Sequence, residues 1–306
     1  MSIPSHPPRY RRLSDELKRR FGERLSKVTI NAKMTCPTRD GVLGRGGCTF
    51  CDPFGSGPET GASLPIEEQI RRRRRASRPG RYIAYLQAFT NTYCAPSELD
   101  SILGRVASQE GVAAIVVGTR PDCVPDPILD LLETWASRIP LWVELGLQSA
   151  NLRTLREIKR GHTLAEFIDA CVRSHARKLM TVAHVILGLP GEGREEWIET
   201  ARILTALRVG GVKIHMLHIV RGAPLEKAYE RGEITLLSRE EYVAAVCDFL
   251  ENLDPDIVIH RLTGERGEPF LVGPQWVREK STVLQMIREE LERRDSWQGK
   301  FARLGL

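Results

Sequence analysis

Residues 113–147 read Ala-Ala-Ile-Val-Val-Gly-Thr-Arg-Pro-Asp-Cys-Val-Pro-Asp-Pro-Ile-Leu-Asp-Leu-Leu-Glu-Thr-Trp-Ala-Ser-Arg-Ile-Pro-Leu-Trp-Val-Glu-Leu-Gly-Leu. Short apolar runs, Ala113–Gly118 and Leu141–Leu147, flank a segment, Pro125–Ser137, whose apolar residues recur with helical spacing. Short runs rich in Val, Ile and Leu are typical of buried strands. A strand, a helix and a second strand in this order predict two parallel strands joined by a right-handed crossover.

The same unit recurs on both sides of this stretch. Further strand-like runs are Val28–Ala32, Tyr82–Ala88, Thr181–Gly188 and Val212–Ile219, and further helical patterns are Pro65–Ala76, Pro96–Gln109, Asn151–Ile158, Thr163–Lys178 and Arg194–Val209. Six such units are fewer than the eight of a closed barrel, so the pattern favours an α/β fold with a partial, open (β/α)6 barrel of the TIM type. A doubly wound sheet is the alternative, although no Gly-x-Gly-x-x-Gly follows the first strand.

The chain is expected to divide into three parts. Residues 1–24 form a basic N-terminal helical segment, residues 25–221 the partial barrel, and residues 222–306 a C-terminal α/β extension packed on the barrel. In that extension, the sequence predicts helices at Gly222–Arg231, Ser238–Leu250 and Trp276–Arg294, and a strand at Asp256–Leu262.

Composition places the protein among globular proteins of a reducing compartment. The 306 residues are 42% hydrophobic, and none of their runs approaches the roughly 18 apolar residues of a membrane helix. An N-terminus without an apolar core predicts no secretory signal, and seven cysteines, an odd number, predict no disulfide framework. We therefore expect a cytoplasmic protein without a membrane partner.

Basic residues are concentrated in two places. The net charge is +6, with five consecutive arginines at Arg71–Arg75 and a second group made of Arg9, Arg11, Arg12, Lys18, Arg19 and Arg20. Such groups either neutralise the phosphates of a nucleic acid or form a solvated helix face, and charge alone leaves both interpretations open.

Cys36, Cys48 and Cys51 lie in a loop rich in glycine, with eleven residues between the first two and two between the last two. Three thiolates suit an iron–sulfur cluster better than structural zinc, because a closed zinc site needs four ligands. A four-iron cluster held by three cysteines leaves one iron open to a small molecule. The alternatives are ordinary thiols, or half of a zinc site completed by a distant histidine.

Other polar residues fall at the ends of the predicted strands, where barrel enzymes carry their sites. These candidates are Asn91, Tyr93, Arg120, Asp122, Cys123, Gln148, Gly188, Lys213 and His215. Each also has a structural interpretation, as a helix-start hydrogen bonder, a turn, an ion pair or a buried thiol. Cys94 likewise could be a site residue or an ordinary buried thiol.

Several motifs together resemble the radical S-adenosylmethionine (radical SAM) superfamily. They are the cysteine loop, Glu-Leu-Gly-Leu-Gln-Ser at 144–149, Arg-Gly-His at 160–162 and Gly-Leu-Pro-Gly-Glu at 188–192. Three more, at 86–93, 118–123 and 215–220, make nearly the whole chain similar to the YhcC/YtqA family, near the Elongator-subunit-like branch. The first cysteine spacing is longer than the Cys-x3-Cys-x2-Cys of most of the superfamily and agrees with this family.

The resemblance implies a mechanism and a set of site residues. Cys36, Cys48 and Cys51 would hold a [4Fe–4S] cluster, and the open iron would bind SAM, which is cleaved to a 5′-deoxyadenosyl radical that abstracts a substrate hydrogen. Phe50 and Gly188 would lie near the adenine, and Gln148 and Arg160 would bind the ribose or the methionine carboxylate. A flavodoxin or ferredoxin would supply the electron.

The resemblance also implies a substrate. Related branches modify tRNA, and the YtqA side of the family is implicated in converting a wobble-uridine carboxymethylaminomethyl group to aminomethyl. Arg120 or Lys213 would then meet the carboxylate. The remaining candidates, Asn91, Tyr93, Asp122, Cys123 and His215, are expected to face the substrate. Two alternatives stay open: a radical SAM enzyme acting on a small metabolite, and an iron–sulfur redox protein without SAM chemistry.

Overall fold

The protein is built around a parallel sheet with helices on its outer face. A computed structural model describes residues 8–55, 64–75, 80–264 and 266–302. In chain order they form α1 (Leu13–Phe21), β1 (Ser26–Ile30), α2 (Ile66–Arg75), β2 (Tyr82–Leu86), α3 (Pro96–Ala107), β3 (Val112–Thr119), α4 (Asp126–Ala136), β4 (Leu141–Gln148), α5 (Leu152–Glu157), α6 (Leu164–Ala176), β5 (Met180–Leu187), α7 (Arg194–Ala206), β6 (Gly211–Met216), β7 (Ile219–Val220), α8 (Pro224–Glu230), α9 (Arg239–Glu251), β8 (Val258–Arg261), β9 (Leu271–Gly273) and α10 (Lys280–Arg293).

The main sheet confirms the predicted partial barrel and adds a strand to it. Its order is β1-β2-β3-β4-β5-β6-β8, and all neighbouring strands pair in parallel. The expected six strands are therefore seven, because the strand predicted at Asp256–Leu262 pairs with the exposed edge of β6 as β8. The strand predicted at Val212–Ile219 is divided: β6 ends at Met216, and β7 pairs with β9 in a separate antiparallel ribbon.

The sheet is strongly curled. Tyr85 on β2 and Lys213 on β6 are four strands apart, which in a flat sheet is a separation of roughly 19 Å. The Lys213 Nζ nevertheless lies 3.0 Å from the Tyr85 hydroxyl. The concave face therefore encloses an interior, as in part of a closed barrel.

Helix α1 closes the amino end of that interior. Its Leu17 is buried in a cluster with Ile83, Val116 and Trp142, residues of three neighbouring strands that face the inside of the barrel. A second and larger apolar cluster joins the outer face of the sheet to the surrounding helices and includes Phe249 of the tail. The C-terminal extension predicted at residues 222–306 shares this core with the barrel. The boundary between the two parts at residue 222 therefore stays a prediction.

The helix starts follow the predicted local chemistry. Asn151 caps α5 and accepts hydrogen bonds from the backbone N–H groups of Arg153 and Thr154 at 2.9 and 3.2 Å. Pro96 occupies the first turn of α3, where its missing N–H is not needed. These signals are local, which is why the sequence alone reveals them.

Both basic clusters lie at the amino edge of the sheet. At the end of α2, Arg74 donates to the Glu110 carbonyl, just before β3, and stacks on Tyr82 at the start of β2. At the other cluster, Arg20 donates to the sulfur of Met180, which begins β5. Residues 1–7 of the predicted N-terminal segment lie outside the described residues. Within those residues, no helix combines the length and apolar character needed to cross a membrane.

Replacement of Leu17 by alanine tests the closing role of α1. We expect Leu17→Ala to lower the free energy of unfolding by about 2–5 kcal/mol, because it opens a cavity in the inner cluster. Urea unfolding at equilibrium measures the change. The exposed neighbour Lys18→Ala is the control and should change stability by less than about 0.5 kcal/mol. Equal effects of the two variants would contradict the role.

Candidate functional site

A cavity of about 660 Å³ opens at the carboxyl ends of the strands. Cys36, Cys48 and Cys51 all line it, together with Gln148 at the end of β4 and Lys213 on β6. The loop after β1 thus reaches the same cavity as strands four and six. This juxtaposition requires the curled sheet, since the loop and those strands are far apart in the strand order.

The cysteine loop is held by its own backbone and by one arginine. The Arg39 N–H donates to the Cys36 carbonyl at 2.8 Å, and the Cys51 N–H donates to the Cys48 carbonyl at 3.0 Å. Arg39 Nη2 reaches across the loop to the Asp52 carbonyl at 2.5 Å. Gly47 has a φ of 85°, and a Cβ there would lie 2.8 Å from Arg39 Nε, so glycine is needed at this position.

The three thiols lie in different electrostatic surroundings. Burial alone would raise the pKa of Cys36, but hydrogen bonds from Thr38 and Thr90 outweigh it and lower that pKa. The Cys36 sulfur lies 3.1 Å from the Thr38 hydroxyl. Burial raises the pKa of the Cys51 thiol, with the Arg39 guanidinium opposing it in part. Cys48 receives a hydrogen bond from Arg160 Nη1 at 3.5 Å.

Arg160 and His162 form a buried unit against β4. Arg160 donates from Nη2 to the Gly146 carbonyl at 2.7 Å and from Nε to His162 Nε2 at 2.9 Å. Burial and the neighbouring Arg160 lower the pKa of His162 to about 3, so its ring is neutral. Nδ1, which lies 3.0 Å from the Thr163 carbonyl, then carries the proton, and Nε2 accepts from Arg160. His162 thus orients the arginine that contacts Cys48.

The lining of the cavity fits negatively charged contents. Among the described residues that line it, the cations are Lys27, Arg39, Arg120, Arg160, Lys213, Arg261, Arg266 and Lys280, whereas the carboxylates are Asp52 and Glu144. Arg120 is 2% exposed, and its Nη1 has no hydrogen-bond partner among the described residues. A buried donor without a partner is costly, so an anionic group facing Arg120 suits this site.

The donor set also fits an iron–sulfur cluster. Three cysteines line one cavity, with Arg39 and Arg160 beside them to offset the negative charge of a thiolate-bound cluster. In the part of the chain that the structure describes, no three His, Cys, Asp or Glu side chains converge closely enough for a single metal ion. Cys36, Cys48 and Cys51 are the residues that could hold the cluster, because their three thiols line this one cavity.

Deeper in the barrel, Glu144 is the centre of a buried charged network. The Glu144 Oε2 lies 2.7 Å from both Lys213 Nζ and His184 Nε2, and its Oε1 lies 3.7 Å from Lys27 Nζ. The Glu144 side chain is fully buried. Burial would raise its pKa, but Lys213, Lys27 and His184 hold that pKa well below its usual range. Glu144 is therefore ionised.

The same network lowers the pKa of its basic members. Burial lowers the pKa of Lys213 to about 7, although Glu144 opposes the shift. Burial and Lys213 lower the pKa of His184 to about 4. Both nitrogens of His260 and the Glu144 Oε1 are buried without a hydrogen-bond partner among the described residues. The inner end of the cavity therefore has polar atoms that remain available to water or to a ligand.

Sequence reasoning found only part of this inner network. It named Lys213 and His215, which line the cavity, but not Glu144, His184 or Lys27. The available signal was the period of two, because residues 144, 146 and 148 face the cavity from β4, and 184 and 186 face it from β5. Polar side chains at 144, 148 and 184 mark an interior that is polar rather than packed.

Other predicted residues lie outside the cavity lining. Asn91 donates to the carbonyls of Leu86 and Gly118, which ties β2 to β3. Asp122 forms a two-point ion pair with Arg120, at 2.9 and 2.7 Å, and so orients a lining residue. Cys123 is buried next to Asp122. Their contact with substrate stays a prediction.

Tyr93 and Gly188 also lie away from the lining. Burial raises the pKa of Tyr93, and its hydrogen bond with Asp40 adds to the shift. Gly188 lies in the turn after β5 with a φ of 85°, and a Cβ there would lie 2.9 Å from the Leu237 side chain. The backbone of this turn and the packing of Leu237 therefore both require glycine at this position. Phe50, Gln148, Arg120 and Arg160 do line the cavity, as expected.

Comparison with known proteins agrees with this geometry. The sequence model of the radical SAM superfamily matches residues 43–204, and that of the radical SAM C-terminal domain matches residues 209–293. YtqA of Bacillus subtilis, an uncharacterised protein, is 39% identical over 96% of this chain and 92% of its own length. YhcC of Escherichia coli K12 is 37% identical over 87% of both chains.

More distant proteins share the fold. Elongator complex protein 3 of Saccharomyces cerevisiae is 27% identical over 57% of this chain and 31% of its own length. The solved structure of Elp3 from Methanocaldococcus infernus aligns with a TM-score of 0.64 at 18% identity, over 90% of this chain and 64% of that one. Methylornithine synthase aligns with a TM-score of 0.54 at 13% identity, over 90% and 83%.

These matches define the class of protein. A partial barrel with three cysteines at its carboxyl rim is a radical SAM enzyme, which uses a [4Fe–4S] cluster and SAM. The chain belongs to the YhcC/YtqA family of that superfamily. The alternative of an iron–sulfur redox protein without SAM chemistry is therefore set aside.

Removal of the Glu144 charge tests the buried network. We expect Glu144→Gln to lower the free energy of unfolding by about 3 kcal/mol, because it leaves the buried Lys213 without its anion. The double variant Glu144→Gln/Lys213→Met should be more stable than Glu144→Gln alone. Urea unfolding measures both, with the exposed Glu199→Gln as control. A double variant that is less stable than the single one would refute the argument.

Glu192, beside the cavity, provides a prediction about pH. Burial raises the pKa of its carboxyl group to about 7, against hydrogen bonds from Ser149 and Thr154. The folded state therefore binds more protons than the unfolded state between about pH 4.5 and 7, so Glu192 makes stability fall as the pH rises through that range. Glu192→Gln should lose less stability than the wild type between pH 5 and 8, as measured by urea unfolding. Glu195 is exposed, so the control variant Glu195→Gln should show the same dependence of stability on pH as the wild type.

Proposed function

We propose that Cys36, Cys48 and Cys51 hold the [4Fe–4S] cluster of this radical SAM enzyme. Phe50, Gln148 and Arg160 contact SAM, and Gly188 shapes the turn nearby. When bound, the cluster and SAM supply a 5′-deoxyadenosyl radical that abstracts hydrogen from the substrate. The chain's own contribution is to orient these groups, to compensate their charge through Arg39 and Arg160, and to exclude water from the interior.

We further propose that the substrate carries an anionic group into the inner end of the cavity. The observation that supports this is the surplus of positive charge there, where both Lys27 and Lys213 pair with the one carboxylate of Glu144. A second carboxylate would compensate that surplus. The pKa of Lys213 is about 7, so an anionic group beside it would favour the protonated, charged form. When the product leaves, the charged and neutral forms of Lys213 would again be present in comparable amounts near pH 7.

A tRNA wobble uridine with a carboxymethylaminomethyl group fits this requirement. Its carboxylate would meet Lys213, and Arg120 would orient the base or the SAM carboxylate. The resemblance to the YtqA side of the family supports this substrate, and the likeness to Elongator complex protein 3 is compatible with it. The proposed reaction would abstract a hydrogen from the CH2 beside the carboxylate. SAM would take up two electrons in total, giving methionine and 5′-deoxyadenosine, and water would cleave the N–CH2 bond, releasing the carboxymethyl group as glyoxylate and leaving aminomethyl. The seven free thiols support a cytoplasmic location.

A small carboxylated metabolite is the second candidate. It is favoured by the position of the two basic clusters, which lie at the amino edge of the sheet and not at the mouth of the cavity. Many of their arginines are also engaged: Arg71 and Arg72 pair with Glu68, and Arg19 pairs with Glu16. The hypothesis that these clusters bind phosphate next to the site is correspondingly weaker.

Analysis of tRNA distinguishes the two candidates. Anaerobically reconstituted enzyme is incubated with SAM, reductant and tRNA from a strain that lacks the gene, and both 5′-deoxyadenosine and modified nucleosides are quantified. We expect aminomethyl-uridine to increase and carboxymethylaminomethyl-uridine to decrease. Lys213→Met should abolish the nucleoside change while retaining slow SAM cleavage, whereas Cys48→Ala should abolish both.

The outcomes separate the parts of the proposal. SAM cleavage without a change in the nucleosides would exclude the tRNA substrate and favour the metabolite. An intact cluster without 5′-deoxyadenosine would contradict the assigned cofactor residues. Charge reversal at Arg71–Arg75 tests the basic helix separately, since an unchanged tRNA affinity at several salt concentrations would exclude it as a phosphate contact.

A further inference from the structure

The segment between Cys36 and Cys48 forms an exposed projection with apolar side chains at its tip. Val42 is 68% exposed and Leu43 is 48% exposed. Eight large hydrophobic residues are exposed in the described part of the chain, and three of them, Val42, Leu43 and Phe54, belong to the thirteen residues 42–54. The cysteine loop is thus the place where exposed apolar surface is concentrated, which is typical of interaction sites.

The projection is built by the backbone and is not a loose loop. The Leu43 N–H donates to the Pro37 carbonyl at 2.7 Å, and the Gly41 N–H donates to the Gly44 carbonyl at 3.0 Å. The Val42 N–H donates to the Asp40 carboxylate at 3.0 Å. These bonds hold Val42 and Leu43 outward. The long spacing between the first two cysteines therefore produces a shaped apolar surface.

Cations border this surface. Arg45 is exposed, and its guanidinium packs over Gly41, where a Cβ would lie 3.5 Å from Nε. Leu43 packs against Gly161, where a Cβ would lie 3.4 Å from the leucine Cδ1, and the exposed Lys159 is two residues away. The nearby carboxylate of Asp40 already accepts the Val42 N–H and interacts with Tyr93. The border of the projection is therefore positive.

We propose that residues 40–46, with Lys159, are the docking surface for an acidic, small electron-transfer protein that reduces the cluster. A small apolar centre with a charged border is typical of transient redox interfaces. The opposite charge on the partner would speed the encounter. Because the projection connects Cys36 to Cys48 directly, a protein bound there lies next to two of the three sulfur ligands.

A nucleic acid suits this surface less well. Val42 and Leu43 have neither hydrogen-bonding groups nor aromatic rings on which a base could stack, and protein–nucleic acid interfaces are polar and strongly positive. The proposal rests on the radical SAM class of the enzyme and is independent of its substrate. It stands even if the tRNA experiment above fails.

The test compares a protein reductant with a chemical one. The probes are a purified bacterial flavodoxin and a purified [4Fe–4S] ferredoxin, added to the reconstituted holoenzyme. For Val42→Asp/Leu43→Asp, we expect the Kd for the better-binding donor to rise about tenfold or more. The rate of 5′-deoxyadenosine formation with that donor should fall in parallel. The rate with dithionite, which needs no docking surface, should stay at the wild-type value.

Charge variants and a distant control sharpen the test. Arg45→Glu should weaken donor binding and reduce its dependence on salt, whereas Arg45→Lys should retain both. Val172→Asp, at a position on α6 that is 57% exposed, should change nothing. The proposal is overturned if neither donor binds the wild type, or if the loop variants bind and accept electrons normally. An equal loss with dithionite, or a loss of tRNA binding alone, would also overturn it.

Discussion

The burial of Glu144 is the constraint on which the interior of this protein depends. A carboxylate at the centre of a sheet is stable only with partners, and those partners are Lys27, His184 and Lys213 from β1, β5 and β6. A flat sheet would hold β1 too far from β4 for this contact. The curl of the sheet and the charged network around Glu144 therefore depend on each other.

The distribution of charge gives the cavity its chemical character. Cations exceed carboxylates both at the rim, around the three cysteines, and at the inner end, around Glu144. Burial lowers the pKa of Lys213, and among the described residues one donor of the buried Arg120 has no hydrogen-bond partner. An interior of this kind is stable with negatively charged contents. A thiolate-bound cluster, the carboxylate of SAM and an anionic substrate group have this property.

Much of the site follows from local sequence. The cysteine loop, the cap at Asn151 and the strand motif around Gln148 depend on neighbouring residues, and reasoning from sequence finds them. It fails where a side chain interacts with a strand distant in the chain. Glu144 and His184 look like single polar residues within apolar runs, and Asn91 looks like a site residue although its amide joins β2 to β3.

The sequence by itself determined the class of fold and the three cysteines, because the alternation of strands and helices and the spacing of ligands are properties of a linear chain. Only the tertiary structure decided that β8 completes the sheet, that the basic clusters lie at the edge opposite the cysteines, and that Lys213 meets Tyr85 across the barrel. The physical reason is the curl of the sheet. It brings together residues far apart in the chain, and no local pattern records which of them will meet.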